Sequence, residues 1–436
     1  MALRLYNTLT QQVEPLQPLE DERVRMYTCG PTVYHYVHIG NFRTFTFQDL
    51  LRRYILYKGY KLTHVMNITD VEDKIIANSK AEGVPINQYT ARYTQAFLDD
   101  MEALRIQKPE KMPRATEHID EMVELVQKLQ KNGLTYESDG SIYYRIRGFQ
   151  GYGKLSRVEL EDAKAQARVD SDEYTKENPR DFVLWKGRRQ GEEAYWDTPL
   201  GQGRPGWHLE CSAMSMSYLG ESFDIHCGGI DLVFPHHENE IAQSEGATGK
   251  PFVKHWVHGA HLIVEGEKMS KSAGNFYTLR EILDKGYSPR AVRYLLSSVH
   301  YRKQLNFTFE GIEQASAAIQ RVDDVLRKVR QLSPAGQDDH DLSQAVTKAR
   351  TDFEEALDDD LNVSEALAAL FELVRQANLA VDAGKVGEGN RRAILKLFQG
   401  ANSIFDVFQL EEEELQDQEV AGLIEERVQA RRNRDF

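Results

Sequence analysis

The stretch that most constrains the fold is residues 24–66, where a strand, a sharp turn, a helix and a second strand follow one another. Val24-Arg25-Met26-Tyr27-Thr28-Cys29 reads as a short strand stopped by Gly30-Pro31, a pair that breaks regular structure because proline lacks an amide hydrogen. From His38 to Lys58, Phe42, Phe45, Leu50, Leu51, Tyr54 and Ile55 recur at helical spacing, with Gly59 as C-cap. Leu62-Thr63-His64-Val65-Met66 is the second strand. A strand pair bridged by a helix is parallel, and such sheets bind ligands beyond the carboxyl ends of their strands. The expected fold is therefore α/β, a doubly wound, Rossmann-like parallel sheet.

Residues 71–199 interrupt the alternation. They read as mostly helical (Tyr89–Leu104, Glu117–Asn132), then hairpin-like over Gly140–Arg147, then charged to Trp185. Alternation resumes with a strand at Phe223–His226, a helix from His236 and a strand at Val253–His258. One sheet domain (1–70 plus 200–265) split by a connective insertion (71–199) is expected. A lysine-rich linker (266–288) follows, then a helical bundle (289–410) broken near Ser333–Gln337 and Ala383–Gly389. The final segment, 411–436, opens on the acidic run Glu411–Glu414 and carries four arginines between Arg427 and Arg434.

A net charge of −14 excludes coating of nucleic acid through bulk positive charge, though not a local basic face. No apolar run is long enough to cross a bilayer, and Met1-Ala2-Leu3-Arg4 lacks the apolar core of a secretion signal, so a cytoplasmic location is expected. Three scattered cysteines make no disulfide framework; they are metal ligands, reactive thiols or inert core.

Two strings carry chemistry. Lys268-Met269-Ser270-Lys271-Ser272 lies between Gly266 and Gly274, and two lysines on a glycine-flanked loop can hold the charge of a pyrophosphate leaving group. Pro31 to Asn41 leads from the first strand into the first helix, where helix-terminal amides favour phosphate. There Gly40 permits close approach, and His38 and Asn41 can donate to phosphate oxygens. Together, in this order, the strings resemble the signature pair of class I aminoacyl-tRNA synthetases, with Asn41 where that family usually has histidine. Gly228-Gly229-Ile230-Asp231 is similar to the family's adenosine-binding motif, which implies that Asp231 accepts from ribose hydroxyls.

Cys29, Cys211, His236 and Glu240 come from three distant segments, the last two spaced to share a helix face. Two thiolates, an imidazole and a carboxylate make a reasonable zinc shell, yet with no Cys-x-x-Cys pair the default reading of these residues alone is inert buried thiols and a helix-capping histidine. The surrounding words (Cys29 to Tyr34, Asn67–Asp70, Asn178–Lys186, Arg204–His208, Phe234–Glu240, His300–Arg302) resemble the cysteinyl-tRNA synthetase family along essentially the whole chain. That resemblance implies one Zn2+ on those four residues and a cysteine pocket including Thr69 and Trp207, with His38, His208, His226 and His237 close by. It also implies ATP as a substrate with Mg2+, tRNA(Cys) and L-cysteine as further substrates, and a monomer. Residues 289–410 would support the tRNA, and 411–436 would begin an anticodon-binding region left incomplete.

Cysteine and serine differ by one atom, so size cannot separate them. Zinc prefers thiolate to hydroxyl, and a polar contact can supply a discrimination of about 10⁴–10⁵. The rivals are a ligase of the same ancestry that joins cysteine to a sugar amine, and a non-catalytic RNA- or zinc-binding relative. Cys227 is read as a small structural residue.

Overall fold

Residues of alternating and continuous apolar character pair first into a four-stranded, all-parallel sheet. The computed structural model describes residues 2–158, 176, 178, 180–192, 194–270, 274–334 and 336–410. Its strands are β1 (Arg23–Thr28), β2 (Lys61–Met66), β3 (Phe223–Gly229) and β4 (Val253–Gly259), in the order β4-β3-β1-β2. Every residue of β3 is buried, as a central strand covered on both faces requires. The crossover β1→β2 runs one way along the sheet and β3→β4 the other, so the order reverses between β1 and β3. The carboxyl ends flanking such a reversal form a crevice, and Cys29 and Gly228-Gly229 lie at its two lips.

Helix α1 (Ile39–Tyr57) makes the first crossover and packs on β2, β3 and β4. On the other face lie α2 (Trp207–Leu219) and α3 (Glu238–Thr248). Cys227, fully buried, belongs to the apolar layer that also holds Phe47, Leu51 and Val257.

The insertion departs from its mostly helical reading. Helices Asp73–Glu82, Ile86–Ala103 and Ile119–Lys131 are followed by a five-stranded antiparallel sheet. Its strands are Thr135–Ser138, Ser141–Tyr144, Phe182–Gly187, Gly201–Pro205 and Trp196–Thr198, in that spatial order. The expected hairpin at 140–147 is centred earlier, on Asp139-Gly140, both at positive φ. Strand Gly201–Pro205 extends this sheet past residue 199.

A small sheet of Glu267–Lys268, Leu262–Val264 and Leu305–Phe307 carries the start of the lysine loop. Helices Pro289–Ser297, Phe309–Gln331, His340–Asp358, Val363–Asp382 and Glu388–Phe405 complete the described chain. Among these, the break at 359–362 had no counterpart in the sequence reading. Asp360 and Leu361 there adopt positive φ, and the Asp360 carboxylate accepts from the Tyr6 amide at 2.8 Å and Arg302 Nε at 2.7 Å.

The bundle is locked to the sheet domain by buried charge. Arg43 of α1 donates to the carbonyls of Leu296, Val299 (2.7 Å) and His300 (3.1 Å). Asp49, also on α1, accepts from Arg53 Nε at 2.8 Å and from Arg293 Nη2 at 2.6 Å. No described helix is long and apolar enough to cross a membrane.

Candidate active site and metal centre

The crevice at the sheet reversal is lined by Cys29, His38, Asn41, Trp207, Gly229 and Asp231, among others. Each reaches it from the end of an element. His38 is the N-cap of α1, its Nδ1 accepting from the Asn41 amide at 3.3 Å. A neutral His38 ring therefore carries its proton on Nε2, the nitrogen that can donate. The edge of the ring meets Phe276 at 5.2 Å. A Cβ on Gly40 would lie 3.0 Å from both His38 Nδ1 and Met269 Cε, so the missing side chain is what lets the lysine loop close on the helix N-terminus. Lys268 is exposed at the end of its strand, and Asn275 braces the loop by accepting from the Ser270 amide at 2.8 Å. Lys271 lies outside the described residues. Gly228 has a similar steric reason: a Cβ there would stand 2.7 Å from His237 Cε1. Asp231 follows in the next turn, its side chain 66% exposed and open to a ligand.

Deeper in, Cys29, Cys211, His236 and Glu240 bring one donor atom each to within 4.8 Å of all the others, every one of them buried. Cys29 Sγ lies 4.0 Å from Cys211 Sγ and 3.9 Å from Glu240 Oε1, and His236 Nε2 is 3.1 Å from the same oxygen. His236 does not share a regular helix with Glu240 as its spacing implied. Phe234 is extended (φ −138, ψ 131), His236 sits in the irregular turn 233–237, and α3 begins at Glu238. The two still converge. A second set, Cys29, His226, His237 and Glu240, overlaps the first.

The donors of both sets are held by further partners, and His237 Nε2 faces Cys29 Sγ at 3.4 Å. His236 turns its other nitrogen to His208 Nδ1 at 2.8 Å, and Glu240 Oε2 accepts from His226 Nε2 at 2.9 Å. His226 is thus a support behind Glu240, in the manner of groups that orient metal ligands. His237 Nδ1 pairs with His258 Nε2 at 2.8 Å, and Thr8 Oγ1 sits 2.7 Å from His258 Nδ1. His258 and Thr8 escape sequence reasoning; the alternation of Trp256 and His258 along a strand reads only as packing.

Electrostatics match a cation site. Burial would raise the Glu240 carboxyl, but the His226 and His236 charges and hydrogen bonds hold it down at about 2. The Cys29 hydrogen bond brings the Cys211 thiol down to about 6 against the effect of burial. Burial would lower His236, yet Cys211 and Glu240 lift it to about 10. Cys29 is pushed well up, by burial and by Cys211. The cluster gathers negative charge where the protein alone can supply only an imidazolium.

Trp207, the first residue of α2, is 36% exposed and lies against the His236 ring at 4.2 Å. Thr69 is buried instead: its hydroxyl donates to Glu210 Oε2 at 2.9 Å and accepts from Asn67 Nδ2 at 3.1 Å. Glu210, absent from the sequence reading, keeps a buried oxygen, Oε1, without a hydrogen-bond partner, and burial raises its carboxyl well above the usual range.

Comparisons with known proteins show the family and the fold. Residues 15–317 match the model of the class I (C) tRNA synthetase catalytic domain, and residues 352–409 match the DALR domain. The Mycobacterium tuberculosis methionyl-tRNA synthetase in complex with methionyl-adenylate superposes with a TM-score of 0.64 over 88% of this chain and 89% of that one, at 17% identity, a likeness of fold. Fold and family model define a class I aminoacyl-tRNA synthetase. The cysteine–tRNA ligase of Solibacter usitatus is 52% identical, over 100% of this chain and 94% of its own. That of Brachyspira hyodysenteriae is 47% identical, over 99% and 93%. The chain belongs to the cysteine–tRNA ligase family.

Proposed function

We propose that the crevice activates L-cysteine with ATP to cysteinyl-adenylate and transfers the cysteinyl group to the 3′ end of tRNA(Cys). The observation that carries this reading is the convergence of Cys29, Cys211, His236 and Glu240 in the same crevice as the α1 N-terminus. Those four would hold one Zn2+: bonds of about 2.0–2.3 Å in a tetrahedron place donors about 3.3–3.8 Å apart, close to the 3.1, 3.9 and 4.0 Å found. When bound, the ion supplies a soft position that a thiolate fills and a serine hydroxyl does not.

The residues around it do the rest. The substrate's own carboxylate attacks the α-phosphorus of ATP, bound as its Mg2+ complex, and the bond to pyrophosphate breaks, so no protein nucleophile is required. His38 Nε2–H, the Asn41 side-chain amide and the α1 N-terminus donate to phosphate oxygens as charge moves onto them. Lys268 and Lys271 take the charge of the departing pyrophosphate. Gly228, Gly229 and Asp231 seat the adenosine, with Asp231 accepting from the ribose. Trp207 covers the amino-acid side, and Thr69 acts from behind it through Glu210. The bundle 289–410 carries the body of the tRNA, and 411–436, outside the described residues, would begin an anticodon-binding region. A cytoplasmic monomer completes the reading.

The test is two assays on zinc-replete protein. Cysteine-dependent ATP–pyrophosphate exchange together with cysteine charging of tRNA is the expected result. Exchange without charging, with cysteine passed to an amino sugar, would make it the sugar-amine ligase; no exchange at all would make it a binding protein.

A further inference from the structure

The crevice has an aromatic rim that the activation step does not use. Tyr34-His35-Tyr36 runs just ahead of α1, tied toward the end of β2 through the Val33 amide and the Thr69 carbonyl at 3.1 Å. Across from it the helix Ile86–Ala103 presents Tyr89, Arg92 and Tyr93. His35 lies nearly parallel to Tyr93 (5.9 Å, 18°), and Tyr36 meets the same ring edge-on at 5.2 Å. Tyr93 is buried and backed by Tyr89 at 5.1 Å. His35 is exposed, and Tyr36 is 38% exposed. Two guanidinium groups flank the rings, Arg92 at 4.6 Å from Tyr93 and Arg280 at 5.3 Å from Tyr36. Arg280 is held in turn by Asp100 at 2.9 Å and Asp99 at 3.3 Å.

Buried rings thus fix exposed ones, and cations sit over the edges of the stack. Such a surface, rigid before anything binds, loses little entropy on contact with a flat π-face. Both His35 and Tyr36 border the crevice, so the occupant reaches the reacting atoms. Both flanking cations are already paired with carboxylates, Arg92 with Glu82 at 2.8 Å and Arg280 with Asp99 and Asp100. That favours stacking over phosphate binding. Two flat ligands visit this crevice: the adenine of ATP and the unpaired end of the tRNA. The adenosine motif lies at the end of β3, whereas the rim lies on the β2 side, with β1 between them.

We propose that His35 and Tyr36, carried on Tyr93 and flanked by Arg92 and Arg280, are a stacking platform for an unpaired nucleobase of the tRNA 3′ end. The inference rests on the reading of the chain as a tRNA-charging enzyme. Base–aromatic stacking is tolerant of sequence, and loss of one ring weakens binding by about tenfold.

The test is a binding cycle on the full chain. Affinity is measured for a tRNA(Cys) transcript and for the same transcript lacking its last three nucleotides, using unaltered protein, Tyr36→Ala and Tyr36→Phe. The expected result is that trimming costs the unaltered protein about tenfold, that Tyr36→Ala costs about tenfold on intact RNA, and that it costs nothing further on trimmed RNA. Tyr36→Phe, which keeps the ring, should match the unaltered protein. Equal weakening of both RNAs by Tyr36→Ala overturns the proposal, as does a raised KM for ATP in exchange with unchanged RNA binding, which would assign the rim to adenine. Failure of the unaltered protein to charge any tRNA overturns the functional reading itself, a result that the charging assay reports separately from the cycle.

Discussion

Replacing Asp49 by alanine should separate the two halves of the molecule energetically. Its carboxylate is buried and accepts three hydrogen bonds, from Arg53 Nε, from Arg293 Nη2 and from the Gln107 amide at 2.9 Å. Arg53 has a second carboxylate, Asp406 at 3.0 Å, and the Arg105 carbonyl at 2.7 Å, so it stays compensated. Arg293 keeps only carbonyls, Phe405 at 2.6 Å and Leu104 at 2.9 Å. Its guanidinium is fully buried, and burial already weakens its hold on the proton. Removing one partner of a buried pair costs about 3–5 kcal/mol. With Arg53 compensated, the lower half of that range applies, about 3–4 kcal/mol. Replacing Arg293 by methionine instead leaves Asp49 paired with Arg53 and swaps a charge for a fitting apolar chain, so the loss should be smaller, about 1–2 kcal/mol. Combining the two changes should be less damaging than Asp49→Ala alone, since the stranded cation is gone. Urea unfolding of the four proteins measures this. Strict additivity, or an Asp49→Ala loss under about 1 kcal/mol, would mean that the network does not hold the bundle to the sheet domain.

Gly40→Ala should lower the exchange rate by about 3–10-fold, because its methyl group meets His38 and Met269 at 3.0 Å and makes them give by a few tenths of an ångström, a fraction of the ~1 Å misplacement that costs about 100-fold. Alanine favours a helix over glycine, so stability in urea should not fall, and activity within twofold of the unaltered enzyme would refute the argument. His64 supplies a pH dependence. Burial, aided by the Arg52 charge, lowers its pKa from 6.5 to about 3, so the folded protein refuses a proton that the unfolded chain accepts below 6.5. Stability is therefore fully present above pH 6.5 and falls as the pH drops toward 3. At about pH 4.5 the loss is about 3 kcal/mol, and His64→Asn should remove most of that slope; an unchanged slope contradicts it. Cys211→Ala should abolish bound zinc, whereas Cys227→Ala, in the apolar layer under α1, should retain one zinc per chain by elemental analysis. Loss of metal from the second variant would put the ligand set in error.

What the sequence disclosed follows from how local each feature is. The unit β1-α1-β2 was legible because Gly30-Pro31 and the spacing of Phe42, Phe45, Leu50 and Leu51 act within a few residues. The insertion sheet was not, since its strands are three to six residues long and Tyr144 pairs with Phe182 across a long charged segment. The break at 359–362 has neither glycine nor proline. Asp360 is held there by Tyr6 and Arg302, contacts no local pattern encodes. At the site, the family resemblance implied the four candidate metal ligands, which residue types alone left open, and it placed His208 and His226 close by without showing which ligand each one orients. Spacing suggested one regular helix face for His236 and Glu240, while the extended Phe234 and the turn after it deliver His236 from just outside α3. Glu210 and His258 act only through tertiary contacts, with Thr69 and His237, and so left no trace in the chain.

The central claim is that the Cys29, Cys211, His236 and Glu240 centre selects the substrate. Its most direct measurement is pyrophosphate exchange with cysteine and with serine, on protein stripped of metal and on the same protein after zinc is restored. Zinc should restore exchange with cysteine, with serine slower by a factor of about 10⁴ or more. Full cysteine exchange by protein shown to contain no metal, or comparable rates for the two amino acids with zinc present, would contradict it.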